Sequence, residues 1–163
     1  MDRPRANLVS LLREREQAPG RRACARIYEW AVVECYEHGE LRSTYCRLPE
    51  TARSSIALSW SPDMTLLAST HGDHSVRVFN LAHGDCVAEL VGHQRTPWTV
   101  KFHPCSNDVV VSGALDGEVR LWDVLRARCI ASRRLSANAV ASISFSSSGL
   151  LLAMSTANTV FLW

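Results

Sequence analysis

Lysine is almost missing from this chain: Lys101 is the only one among 18 Lys and Arg residues. Charge of either sign is nearly balanced, and a net of +2 is too small to imply a nucleic-acid or membrane partner by itself. Long apolar runs are missing too. None approaches the roughly 18–20 residues that span a bilayer, so no membrane insertion is expected. The N-terminus has no apolar signal core, and Asp2, Glu14 and Glu16 among its arginines argue against a transit peptide. These absences make a reducing compartment, cytoplasmic or nuclear, the expected location. The six cysteines (Cys24, Cys35, Cys46, Cys86, Cys105, Cys129) lack the paired short spacing of zinc sites. They read as small buried hydrophobes, and neither a metal nor a cofactor is expected.

What is present is a repeat. Gly117-Glu118-Val119-Arg120-Leu121-Trp122-Asp123 has relatives on both sides, with Phe79 43 residues before Trp122 and Trp163 41 residues after it. Trp60-Ser61-Pro62, Phe102-His103-Pro104 and Phe145-Ser146-Ser147 open successive units, and Asp73, Asp116 and Asn158 mark a shared turn. A period in the low forties with a Trp-Asp signature marks a β-propeller blade, four antiparallel strands per repeat. With 47% apolar residues the chain can bury a core. The expected fold is all-β: a partial propeller of about three blades in an open ring, preceded by one or two short helices.

Residues 1–47 read as a helical leader. Leu8, Leu11 and Leu12 form a stripe on a helix over 5–18, capped by Asn7 and stopped by Pro19-Gly20. A second helical pattern runs over 22–38, and the stretch Thr44–Leu48 has strand character. Blades follow over 48–163. Blade one spans 54–91 with strands at Ile56–Trp60, Leu66–Thr70, Ser75–Asn80 and Cys86–Val91. Blade two spans 92–135 with strands at Trp98–His103, Val109–Ser112, Val119–Asp123 and Cys129–Arg133. Blade three, 136–163, supplies Ala141–Phe145, Leu150–Ser155 and Thr159–Trp163 and no outer strand. An open ring exposes apolar faces, so the isolated chain is expected to be marginal and prone to association, as a fragment or a piece completed from elsewhere.

His93, Ser112 and Asp116 with Trp122 are the sharpest constellation. A hydrolytic triad is one reading, but no Gly-x-Ser-x-Gly elbow surrounds Ser112. The spacing fits a structural tetrad tying polar groups inside one blade, so no catalytic residue and no enzyme activity is expected. Blades one and three read as weaker copies, with Ser69, Asp73 and Phe79 in one and Ser155, Asn158 and Trp163 in the other. Arg95 and Trp98 are candidates for partner binding on the loop before an inner strand, and Trp98 packing in the core is the favoured alternative. The interleaved Arg13, Glu14, Arg15 and Glu16 read as a solvated face rather than a nucleic-acid site.

From about Leu48 the chain resembles the N-terminal Trp-Asp (WD) repeats of the Ambra family of Beclin-regulated autophagy scaffolds. The resemblance rests on Leu48-Pro49-Glu50, Trp60-Ser61-Pro62-Asp63, Thr65–His71, Gly92-His93-Gln94-Arg95-Thr96-Pro97-Trp98, Thr99–Pro104, Leu115–Asp123, Asn138–Ser142 and Thr156-Ala157-Asn158. It implies a propeller split by a long disordered insertion, so that the remaining blades come from elsewhere in the protein. It also implies a substrate receptor of a cullin–RING ubiquitin ligase that acts in autophagy. Docking on the ligase adaptor then maps onto Leu8, Leu11, Leu12 and Arg13. The receptor signature Trp-Asp-x-Arg is not met, because Arg126 falls one place late after Trp122-Asp123. A Beclin-type complex would engage regions outside this chain. The alternative is a generic WD-repeat scaffold unrelated to autophagy or ubiquitination.

Overall fold

The computed structural model describes residues 45–163, and these form three antiparallel sheets. The first contains β1 (Ser55–Trp60), β2 (Leu66–His71), β3 (Val76–Asn80) and β4 (Cys86–Leu90). The second contains β5 (Pro97–Phe102), β6 (Val109–Ala114), β7 (Glu118–Asp123) and β8 (Arg128–Arg134). The third contains β9 (Val140–Phe145), β10 (Leu152–Thr156) and β11 (Thr159–Leu162). Each sheet is a meander in which sequential strands pair as neighbours. This is the partial propeller that the repeat implies, each sheet one blade. The helices expected over 5–18 and 22–38 lie outside the described residues, and so do Leu8, Leu11, Leu12 and Arg13. Tyr45–Leu48 form no strand.

Inner strands stack on one another. β5 lies against β1 and β2, and β9 against β5 and β6. The middle strands are therefore covered on both faces, which is why Val109-Val110-Val111 and Val76-Arg77-Val78-Phe79 read as nearly unbroken buried runs. Between the first two blades pack Val76, Val78 and Leu90 with Val100, Val110 and Trp122. Between the second and third pack Val111 and Val119 with Ile143, Leu152 and Met154. Burying each such side chain contributes about 1.5–3 kcal/mol, so these two seams hold the blades together.

Close approach at the second seam demands a glycine. A Cβ on Gly113 would sit 2.5 Å from Val140 Cγ1 and 2.9 Å from Ile143 Cδ1. Polar ties reinforce the first seam: the Phe102 amide donates to Ser59 Oγ at 3.0 Å, and Asn107 Nδ2 donates to Asp63 Oδ2 at 2.6 Å. Thr65 and Ser61 also donate to the Asp63 carboxyl, and these bonds hold its pKa down to about 2.

The repeat is also written in the turns. Met64 and Gly149 share a left-handed backbone at equivalent positions, as do His74 and Gly117, and Gly84 and Ala127. One sheet geometry thus imposes the same dihedral signs whether or not the residue there favours them.

The cysteines depart from expectation. Cys86 and Cys105 are exposed, Cys46 and Cys129 half-buried, and all four are free. Cys86 and Cys129 occupy equivalent outer-strand sites, and each thiol points at the carbonyl two residues on (Ala88 at 3.4 Å, Ala131 at 3.3 Å). Outer strands have only one covered face, so a cysteine there is only partly shielded.

Candidate functional site: the polar network of blade two and the rim above it

Trp122 on β7, Ser112 on β6 and His93 in the loop before β5 converge. The Trp122 indole N–H donates to Ser112 Oγ at 2.8 Å, and Ser112 Oγ lies 2.6 Å from His93 Nε2. On the far side of the ring, His93 Nδ1 faces Glu118 Oε2 at 3.6 Å, too long for a hydrogen bond. A carboxylate there favours the tautomer protonated at Nδ1, which leaves Nε2 to accept the Ser112 hydroxyl proton.

The structure thus unites His93, Ser112 and Trp122 and places Asp116 differently from the tetrad expected. Asp116 Oδ1 accepts the Glu118 amide at 3.2 Å and shapes its own turn. Glu118, which spacing did not single out, presents the carboxylate nearer His93. It also binds Arg120, Nη2 to Oε1 2.9 Å, and Arg120 lies over the Trp122 ring at 5.8 Å. Burial first, and the Arg120 charge second, push the His93 pKa down to about 4. The imidazole is neutral at pH 7.

The order Ser–His–carboxylate imitates a hydrolytic triad, but Ser112 is fully buried and its oxygen is already engaged by Trp122. A nucleophile has to reach its substrate. This constellation fastens the Gly92–Thr96 loop to the blade.

Blade one solves the same problem with other residues. Its histidine is His71, on β2, bonded through Nε2 to Ser69 Oγ at 2.7 Å and through Nδ1 to Ser55 Oγ at 3.3 Å. Burial and the neighbouring Arg77 lower its pKa. Phe79 stands in register with Trp122, and Arg77 with Arg120. Arg77, 3% exposed, reaches Asp73 at 2.7 Å and Glu89 at 2.6 Å. Burial works against ionisation of Asp73, yet the Ser75 hydroxyl, Arg77 and the Ser75 amide bring its pKa to about 2.

Blade three has no such network, and its register differs from the one read off the sequence. Phe145 pairs with Leu152 as Trp60 pairs with Leu67, which puts Met154 rather than Ser155 in the row of Ser69 and Ser112. Met154 is buried among Val111, Val119 and Ile143. Trp163, bonded through its backbone to Leu152, does fall in the row of Trp122. The extra residue is in blade two, whose turn after Phe102 is one residue longer than those after Trp60 and Phe145.

Above the network lies a rim of exposed residues. Trp98 sits at a bulge in the β5–β6 pairing, between Pro97↔Ala114 and Thr99↔Gly113, and is 49% exposed rather than packed in the core. Arg95 is exposed in the same loop. The Leu115 amide donates to Thr96 O at 3.1 Å, and Arg134 Nε donates to Asp116 O at 3.1 Å.

The family model described as "WD domain, G-beta repeat" matches residues 46–80, which contain β1 to β3, and 84–123, which contain β4 to β7. Over 157 residues, 96% of the chain, the sequence is 39% identical to "Activating molecule in BECN1-regulated autophagy protein 1A" of Danio rerio. It is 37% identical over the same length to the 1B protein of that species. Residues 45–163 are an Ambra-like WD-repeat region. The chain spans 12% of the length of each of these Ambra relatives. Over a shorter span, "Polycomb protein esc" of Musca domestica is 30% identical over 105 residues, 61% of this chain and 24% of that protein.

Proposed function

We propose that this chain is the N-terminal interaction module of a non-catalytic, cytoplasmic WD-repeat scaffold that regulates autophagy. Within that scaffold it serves as a substrate receptor of a cullin–RING ubiquitin ligase. The observation that carries the reading is the 39% identity extending over 96% of the chain, well beyond the stretch 46–123 that a generic WD repeat accounts for. A shared repeat alone constrains only the propeller. Similarity that continues through the leader points to a shared use of the leader, and its stripe Leu8, Leu11 and Leu12, with Arg13 beside it, fits a helix laid into a groove of the ligase adaptor. A Beclin-type complex engages other parts of the protein.

Co-purification tests this directly. The tagged chain captures the propeller-built cullin adaptor, and the triple change Leu8→Asp, Leu11→Asp, Leu12→Asp abolishes capture while the blades still fold. Retained capture by the triple variant removes the leader from the docking assignment. No capture by the parent chain leaves the generic scaffold, which the similarity to esc favours.

A further inference from the structure

We infer that the upper rim of blade two, Arg95–Trp98–Leu115–Arg134, is a docking site for an acidic peptide carrying an apolar residue. The inference rests on the scaffold reading and adds the chemistry of the partner. Four observations support it. Backbone and side-chain bonds make the rim continuous: Thr96 O to the Leu115 amide, then Asp116 O to Arg134 Nε, each at 3.1 Å. Its middle is apolar: Trp98, 49% exposed, lies near the start of β5, and Leu115, 40% exposed, lies just past the end of β6 that pairs with it. Its two ends are cationic, since Arg95 and Arg134 are exposed and neither forms an ion pair among the described residues. Finally, the rim is held rigidly: the bulge at Trp98 turns the indole outward, and His93 anchors the loop from beneath through Ser112 and Trp122.

The charge pattern selects the partner. Two carboxylates adjoin this rim among the described residues and both are engaged: Asp116 accepts the Glu118 amide, and Glu118, opposite Arg134, binds Arg120. Two guanidinium groups therefore flank an apolar centre, complementary to acidic residues on either side of a leucine or phenylalanine. Trp and Arg are also the side chains that most often carry binding energy. A nucleic acid fits less well, because a single exposed aromatic provides one stacking position where a strand needs a row of them.

The test uses the full chain and a fluorescein-labelled peptide, Ser-Glu-Glu-Leu-Glu-Glu-Ser, with a matched peptide in which every Glu is Lys and a labelled ten-residue oligouridine. The acidic peptide should bind saturably and weaken as salt rises. Arg95→Glu and Trp98→Ala should each weaken it by at least about tenfold. Arg134→Glu should do the same, and Arg95→Lys should retain most binding. Because Arg95 and Arg134 are exposed, their variants keep the test valid even if Trp98→Ala fails to fold. Equal binding of the acidic and basic peptides, tighter binding of the oligouridine, absence of saturable binding, or unchanged affinity in Arg95→Glu and Arg134→Glu would each overturn the inference. A chain that captures the cullin adaptor yet ignores the acidic peptide refutes the rim alone. One that binds the peptide but not the adaptor refutes only the receptor reading.

Discussion

The indole nitrogen of Trp122 lies 2.8 Å from the hydroxyl oxygen of Ser112, and that bond joins two adjacent strands of blade two beneath the loop it anchors. Both groups are sealed from water. Removing Ser112 leaves the indole N–H and His93 Nε2 unmatched, and removing the indole N–H leaves Ser112 with His93 alone; an unmatched buried group costs about 1–3 kcal/mol. Ser112→Ala and Trp122→Phe should each lower the urea midpoint by an amount in that range. The double variant should be destabilised by less than the sum, because the two changes delete one shared bond. Full additivity would show that they do not act together.

Acid should loosen blade two before it titrates ordinary carboxylates. The folded chain holds His93 neutral down to about pH 4, whereas an unfolded chain takes up that proton near 6.5. The unfolded state thus binds more protons across this window, so stability falls as pH drops from 6.5 toward 4, by about 3 kcal/mol for a shift of this size. His93→Gln should remove most of that slope while lowering stability at pH 7. His71 contributes with the same sign, its pKa lowered by burial and Arg77. Chemical denaturation at pH 7, 6, 5 and 4 reads the slope directly.

Met154 and Ser155 separate the observed register from the one the sequence suggested. Met154→Ser puts a hydroxyl among Val111, Val119 and Ile143 and opens space there, a loss of about 2–4 kcal/mol. Ser155→Ala should stay within about 0.5 kcal/mol. The reverse ranking of the two melting shifts would contradict the register.

Ala127 occupies a left-handed turn position, φ 47°, whose blade-one equivalent is Gly84. Relief of the steric cost outweighs the added chain entropy of glycine, so Ala127→Gly should stabilise by about 0.5 kcal/mol. A lower urea midpoint would show that the turn is not strained.

The strands were legible because propeller blades repeat their turn chemistry. Ser61-Pro62-Asp63 and His83-Gly84-Asp85 bracket strands whose observed ends fall within one or two residues of those expected. Register was less legible. Ser155 matches Ser112 in distance from the opening Phe, but the run Leu151-Leu152-Ala153-Met154 matches Leu66-Leu67-Ala68-Ser69, and that signal was the better guide. Trp98 eluded the reading because a bulge breaks the period-two alternation that assigns faces. Glu118 and Arg120 eluded it although they share a face of β7 with Trp122, because only the folded Gly92–Thr96 loop brings His93 against that face. His71 carries no spacing signal at all, since it reaches Ser69 from the same strand.

Amide and indole hydrogen exchange followed by 15N NMR tests the stacked-blade arrangement most directly. The Trp122 indole proton should be protected by orders of magnitude and should lose that protection in Ser112→Ala, while the indoles of Trp60 and Trp98 exchange rapidly. A Trp122 indole that exchanges as fast as those two would contradict it.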